Sequence, residues 1–266
     1  MSDQDLPSAD LVKPHNRRAF LTRAGAGAAV GGLVWVAPSI LTLDAAAAAS
    51  CVGNTGLVWN NFTNGTGAGV FATGAGANLV NVTVTTTNPN GVGNSGGGGS
   101  LGTNFTVIAN QIGGNAGKAW YMQMLATAAG NHMTTTFTFS KAVVGLTFSI
   151  YDIDRVLNAG NTVWTDRVII TGVKNGGGAA ALTPSKPAGS TVDIATGTTA
   201  IAAEYTGTGN VNISPASSNG NGIATFTDAV GVTSVTIDYI APDAAYVPST
   251  PFQFMGVGNL GWTSCK

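Results

Sequence analysis

Short runs with an apolar residue at every second position, punctuated by glycine and asparagine, dominate this chain. Val80, Val82 and Val84 alternate with asparagine and threonine, and Phe137 and Phe139 alternate with threonines. Leu146, Phe148 and Ile150 keep the same period, as do Val168 and Ile170, and Val235 and Ile237. A period of two gives a strand one apolar face, whereas a helix needs a period near 3.6. Further strands are expected at Leu57–Phe62, Asn104–Ala109, Ala119–Ala126, Ala200–Thr206, Ile223–Thr227 and Val257–Thr263. Many short strands with one apolar face each, and no helices to cover them, fit two sheets packed face to face. The expectation is an all-β chain folding as a single antiparallel β-sandwich of jelly-roll type over residues 50–266. Asn88–Gly102 and Lys174–Gly189 read as loops, and neither brings the change of composition that marks a domain boundary.

The first 49 residues follow another logic. Asn16, Arg17, Arg18, Phe20 and Leu21 resemble the twin-arginine export signal, with Thr22 at the usual lysine and Arg23 restoring the charge. An apolar stretch follows, diluted by Gly25, Gly27, Gly31, Gly32 and Pro38, and Ala45–Ala49 offers small-residue cleavage sites. A run of about 20 apolar residues is just long enough to span a bilayer. The glycines, the proline and the alanine tract favour removal instead. The resemblance implies export of a folded protein to the periplasm, the cell surface or beyond, with residues 1–49 as a cleaved signal and no membrane contact afterwards.

Charge is scarce. The chain holds 11 Lys and Arg against 12 Asp and Glu, a net charge of −1, with Glu204 as its sole glutamate. So neutral a surface excludes the electrostatic footprint of a nucleic-acid or anionic-membrane binder. It also repels copies of itself weakly, which favours self-association. The only two cysteines, Cys51 and Cys265, lie near the two ends of residues 50–266. Outside the cytoplasm they are expected to form a disulfide. Closing so long a loop stabilises a fold by about 4–5 kcal/mol in the chain-entropy account, and it requires first and last strands to be neighbours. A lipid anchor at Cys51 is disfavoured by Ala48, which stands where that signal resembles leucine.

One constellation carries chemistry. Asp152 and Asp154 share the parity of Leu146, Phe148 and Ile150, and Asp166 shares that of Val168 and Ile170. Joined as an antiparallel hairpin, the two strands would bring three carboxylates to one end of the core, with Arg155 and Arg167 alongside. Like charges this close need neutralising. Calcium, which takes carboxylate and carbonyl oxygens, is one solution, with Asp152, Asp154 and Asp166 as ligands. Ion pairs with Arg155 and Arg167 are the other. A catalytic pair of aspartates is a third reading of the same residues.

The phrases Phe137–Asp154 and Trp164–Gly172 resemble a module of secreted and surface proteins of bacteria, with a strand ending in Asp-x-Asp and then Trp-x-Asp-Arg-Val. The later segments Phe226–Tyr239 and Phe254–Trp262 fit its layout. This resemblance implies a jelly-roll-like sandwich and no particular activity.

Two other features bear on function. The segment Phe139–Ile150 parallels Phe226–Ile237, with Phe, Ala, Val and Ile at equal offsets, which suggests one strand–turn–strand corner used twice. Trp59, Trp120, Trp164 and Trp262, with Tyr121, Tyr205, Tyr239 and Tyr246, are candidates either for core positions or for sugar-stacking faces. His132 stands alone after the signal, so no histidine metal site forms within one chain. The expected function is non-catalytic: binding, adhesion or envelope structure, with a glycan or envelope component as partner and calcium as the one candidate cofactor. A carbohydrate-active enzyme or carbohydrate-binding module is the alternative.

Overall fold

The alternating runs become strands because each has one face to bury and turn-forming residues at its ends. A computed structural model describes residues 55–90, 102–124, 126, 128–158, 161–196, 201–208, 216–241 and 253–266, and among them there is no α-helix. All belong to one compact unit, Leu43–Lys266. The first strands are β1 (Gly56–Leu57), β2 (Gly69–Thr73), β3 (Val80–Thr87), β4 (Thr106–Ile108), β5 (Ala119–Met124) and β6 (His132–Val144). Next come β7 (Thr147–Tyr151), β8 (Arg155–Asn158), β9 (Asn161–Thr165), β10 (Arg167–Lys174), β11 (Leu182–Ser185) and β12 (Val192–Thr196). The last are β13 (Ala202–Gly207), β14 (Gly222–Phe226), β15 (Val232–Ile240), β16 (Gln253–Val257), β17 (Leu260–Gly261) and β18 (Ser264–Cys265).

Two antiparallel sheets of eight strands result. One runs β1-β17-β7-β16-β5-β4, with β14 also on β7 and β11 on β14. The other runs β12-β13-β10-β15-β6-β3-β2, with β18 added on β6. The hairpin β8–β9 stands apart from both. The fold is therefore all-β and sandwich-like. Val82, Phe137, Ile170 and Ile237 from the second sheet share one buried cluster with Met122, Phe148, Ile150 and Val257 from the first.

Two of the passages between sheets are tight arches, and these are the repeated corners of the sequence. At the first, β6 of the second sheet leads through Gly145 (φ 66°) into β7 of the first. At the second, β14 of the first sheet leads through Gly231 (φ 84°) into β15 of the second. The arches pair with each other: β15 lies on β6 and β14 on β7. The Phe226 amide donates to the Leu146 carbonyl at 2.8 Å, and Val232 stands opposite Val143. The similarity is thus a pair of sheet-crossing corners rather than two hairpins.

Several expectations need correction. Strand structure at Leu57–Phe62 stops at Leu57, and Trp59–Asn61 forms a 3₁₀ turn. The turn buries Trp59 completely and lets its indole N–H donate to the Gly258 carbonyl at 2.8 Å. The Lys174–Gly189 segment holds strand β11, paired with β14. Most of the Asn88–Gly102 loop lies outside the described residues. Trp59, Trp120, Trp164 and Trp262 are all buried, as are Tyr121, Tyr205 and Tyr239, so none of these offers a sugar a stacking face. Tyr246 lies outside the described residues.

Trp59 and Trp120 stand 5.9 Å apart between ring centroids, with Phe71 at 5.5 Å from Trp59 and Phe137 at 6.2 Å. Removing Phe137 would leave a cavity against both tryptophans. Phe137→Ala should therefore cost about 3–5 kcal/mol in urea unfolding. A loss below about 1 kcal/mol would contradict this packing.

Candidate functional site

The three aspartates sit where the chain leaves one sheet for the other. Strand β7 ends at Tyr151, and Asp152 takes a φ of 64°, a left-handed conformation that Asp and Asn tolerate better than most residues. This turn redirects the chain, and the Ile153 amide then donates to the Gly220 carbonyl at 2.8 Å. Asp154 and Asp166 flank the β8–β9 hairpin at its base. The Asp166 amide donates to the Asp154 carbonyl at 2.8 Å, and the Asp154 amide donates to Asp166 Oδ2 at 3.1 Å. Strand β10 then carries the chain into the second sheet. The strands before and after the hairpin therefore lie in different sheets, contrary to the single hairpin expected from the sequence.

All three carboxylates are buried, at 4%, 5% and 1% exposure for Asp152, Asp154 and Asp166. Sequence parity placed them inward correctly, although Asp152 gets there by a turn rather than a regular strand. Neutral donors meet them. The Tyr239 hydroxyl donates to Asp166 Oδ1, and Trp164 Nε1 donates to Asp154 Oδ1 at 2.8 Å. Asp152 Oδ1 is buried and has no hydrogen-bond partner. Gly207 seals the base: its amide donates to the Asp166 carbonyl at 3.0 Å, and a Cβ on it would lie 2.1 Å from the Asp154 carbonyl oxygen.

Arg167 does not neutralise this group. Its Nε lies 2.9 Å from Glu204 Oε1, and its Nη2 donates to Glu204 Oε2 at 3.0 Å. The reason is geometric. Arg167 follows Asp166 on a strand, so the two side chains point to opposite faces. The chain's sole glutamate, one strand over on β13, takes the arginine on the outer face. Arg155 opens β8 immediately after Asp154.

Burial acts most strongly on Asp152 and Asp166. Desolvation, and then the Asp154 carboxylate, push Asp152 up to about 8. Burial again, and again Asp154, hold Asp166 well above the usual carboxylate range, against the lowering hydrogen bonds from Tyr239 and the Asp154 amide. Burial and the Asp166 carboxylate raise the Tyr239 phenol, which stays a donor. Burial thus disfavours the charged form of Asp152 and of Asp166. Among the described residues no three His, Cys, Asp or Glu side chains are arranged to hold a metal ion. Tyr239 and Trp164 are the members that sequence reasoning missed. Tyr239 shares parity with Val235 and Ile237, the one signal that could have pointed it inward.

Of the other expected residues, Cys265 is fully buried on β18, and the described residues include no free cysteine. Cys51 and the export residues Arg17, Arg18, Phe20 and Leu21 lie outside the described residues. Comparison with known proteins gives no relative to reason from: no family, no curated protein and no solved structure matches the chain.

The raised carboxyl of Asp152 fixes a sign for the pH dependence of stability. From about pH 4 to about 8 the unfolded carboxyl is ionised while the folded one keeps its proton. Each such group makes stability fall with rising pH, by about 1.4 kcal/mol per unit, and the loss is complete above the folded value. Urea unfolding between pH 4 and 9 should show stability declining upward through that window. Asp152→Asn, whose side chain tolerates the same φ, should flatten the slope and stabilise the protein at pH 8. A stability that rises from pH 4 to 8 in the wild type would contradict the assignment.

Proposed function

We propose that the chain is an exported, non-catalytic β-sandwich of jelly-roll type that serves binding, adhesion or envelope structure outside the cytoplasm. The observation that carries the non-catalytic reading is the enclosure of its one acidic cluster, with Asp166 at 1% exposure and its oxygens engaged by Tyr239 and the Asp154 amide. A substrate cannot reach carboxyls in that position without unfolding the hairpin base. The jelly-roll reading draws support from the two mutually paired arches. The partner this reading implies is a glycan or an envelope component. The alternative, a carbohydrate-active enzyme or binding module, would need a surface other than the buried tryptophans and aspartates.

The export reading rests on the resemblance carried by Arg17, Arg18, Phe20 and Leu21. A Cys51–Cys265 disulfide belongs to the same reading. Support comes from β1 pairing with β17 and from the Trp262 amide donating to the Thr55 carbonyl at 3.0 Å, which brings residue 55 within three residues of Cys265 in sequence. Cell fractionation with non-reducing peptide mapping tests both at once. Wild-type protein should be found outside the cytoplasm with the two cysteines linked, and Arg17→Lys with Arg18→Lys should hold it inside. Export of that double variant, or two free thiols in exported protein, would refute the reading.

A calcium-stabilised form is a second proposal, favoured by the buried and unpartnered Asp152 Oδ1. It requires Asp152, Asp154 and Asp166 to draw together around the ion. Calcium at a hundredfold excess over its dissociation constant would add about 2.7 kcal/mol by mass action. The melting temperature should then rise with calcium and fall with EDTA, and Asp154→Asn should abolish the response. A melting curve indifferent to both reagents would retire calcium.

A further inference from the structure

Five asparagines of this chain precede glycine: Asn64, Asn90, Asn175, Asn219 and Asn221. In such a pair the glycine amide nitrogen can attack the side-chain carbonyl carbon of the asparagine, because glycine has no Cβ to crowd the approach. The folded structure decides which pair is free to do so. A side chain or amide held in a hydrogen bond must first be released by local opening.

Four of the five are held. Asn64 Oδ1 accepts from the Ala109 amide at 3.0 Å, and the Gly65 amide donates to the Val107 carbonyl at 2.8 Å. Asn90 Oδ1 accepts from the His132 amide at 3.0 Å, and Gly91 lies outside the described residues. Asn221 is buried, and its Nδ2 donates to the Gly113 carbonyl at 2.8 Å. Asn219 is exposed, but the peptide around it is pinned. Its carbonyl accepts from the Thr191 amide at 2.7 Å, and the buried Gly220 accepts from the Ile153 amide at 2.8 Å.

The pair Asn175–Gly176 differs. It lies in the turn after β10, where the Gly177 amide donates to the Lys174 carbonyl at 3.0 Å. Both residues are exposed, and among the described residues neither the Asn175 side chain nor the Gly176 amide has a hydrogen-bond partner. A Cβ placed on Gly176 would meet nothing within 4 Å, so no neighbour stands over the reacting atoms. Gly176, Gly177 and Gly178 take φ values of 85°, 91° and 80°, and as glycines they also reach negative φ readily, so the peptide can turn toward the side chain.

We propose that Asn175 is a site of spontaneous deamidation. The Gly176 nitrogen bonds to Asn175 Cγ, and the side-chain nitrogen leaves as ammonia, taking up the proton lost from the Gly176 amide. The product is a cyclic succinimide. Water opens the ring at either carbonyl, leaving aspartate or isoaspartate at position 175. No reagent other than water is required. Each event adds one negative charge to a chain whose net charge is −1. The isoaspartate form also routes the backbone through the former side chain, which lengthens the turn between β10 and β11.

Purified protein held at mildly alkaline pH, with peptide mapping and isoelectric focusing at intervals, tests this. Position 175 should convert at least about tenfold faster than the other four, equivalent to a local-opening cost of about 1.4 kcal/mol at those sites. A more acidic band should grow in step, containing both aspartate and isoaspartate. In urea strong enough to unfold the chain, the other pairs should approach the rate of Asn175. Asn175→Gln, a change at an exposed position, should keep the wild-type melting temperature and remove the early acidic band. An Asn175 that keeps its amide, a tenfold lead that persists in urea, or an acidic band undiminished in Asn175→Gln would each overturn the proposal.

Discussion

Two sheets, each with one apolar face, can bury those faces only against each other, and the chain must therefore change sheet without exposing backbone polar groups. The paired arches meet that requirement here. Val144 and Thr147 belong to different sheets with Gly145 between them, and Phe226 and Val232 reverse the crossing. Because β6 pairs with β15 and β7 with β14, the strands leaving one arch bond to those entering the other. The C-terminal segment repeats the crossing, with β17 in one sheet, β18 in the other and the buried Trp262 between them, 5.9 Å from Phe139.

The acidic cluster sits at another crossing, from β7 to β10. The turn at Asp152 and the bridged base of the β8–β9 hairpin carry the chain between sheets, and they bury the three carboxyls. An indole, a phenol and a backbone amide donate to Asp154 and Asp166, while Asp152 Oδ1 is left without a hydrogen-bond partner. The energetic logic differs from that of a salt-bridged core. Burying an ion pair needs a cation delivered to the same face, and the alternation of β10 sends Arg167 to the other one, where Glu204 meets it.

Much of this was legible in the residues, and the limits have physical causes. Strands such as Val80–Thr87 and the inward set of Phe137, Phe139, Val168 and Ile170 follow directly from a period of two. Inward placement of Asp152, Asp154 and Asp166 follows from the same parity. The partners do not, because Tyr239 lies 73 residues from Asp166 in sequence and only tertiary pairing brings it near. Sheet membership was equally hidden: nothing local says that β7 and β10 belong to different sheets. Trp59 sits in a 3₁₀ turn rather than the expected strand, and the acceptor for its indole, the Gly258 carbonyl, comes from far along the chain, where no local pattern shows it. Arg167 looked like a counter-ion by proximity in sequence, which is the wrong measure on a strand.

Burial raises the Asp152 carboxyl, and this shift sets the pH dependence of the fold. It is tested most directly by carbon NMR of aspartate side chains labelled at the carboxyl, followed through a pH titration. The account predicts that the Asp152 carboxyl carbon titrates near pH 8, with Asp166 shifted well above the usual carboxylate range. An Asp152 carboxyl that titrates near pH 4, as an exposed or cation-bound aspartate would, contradicts it.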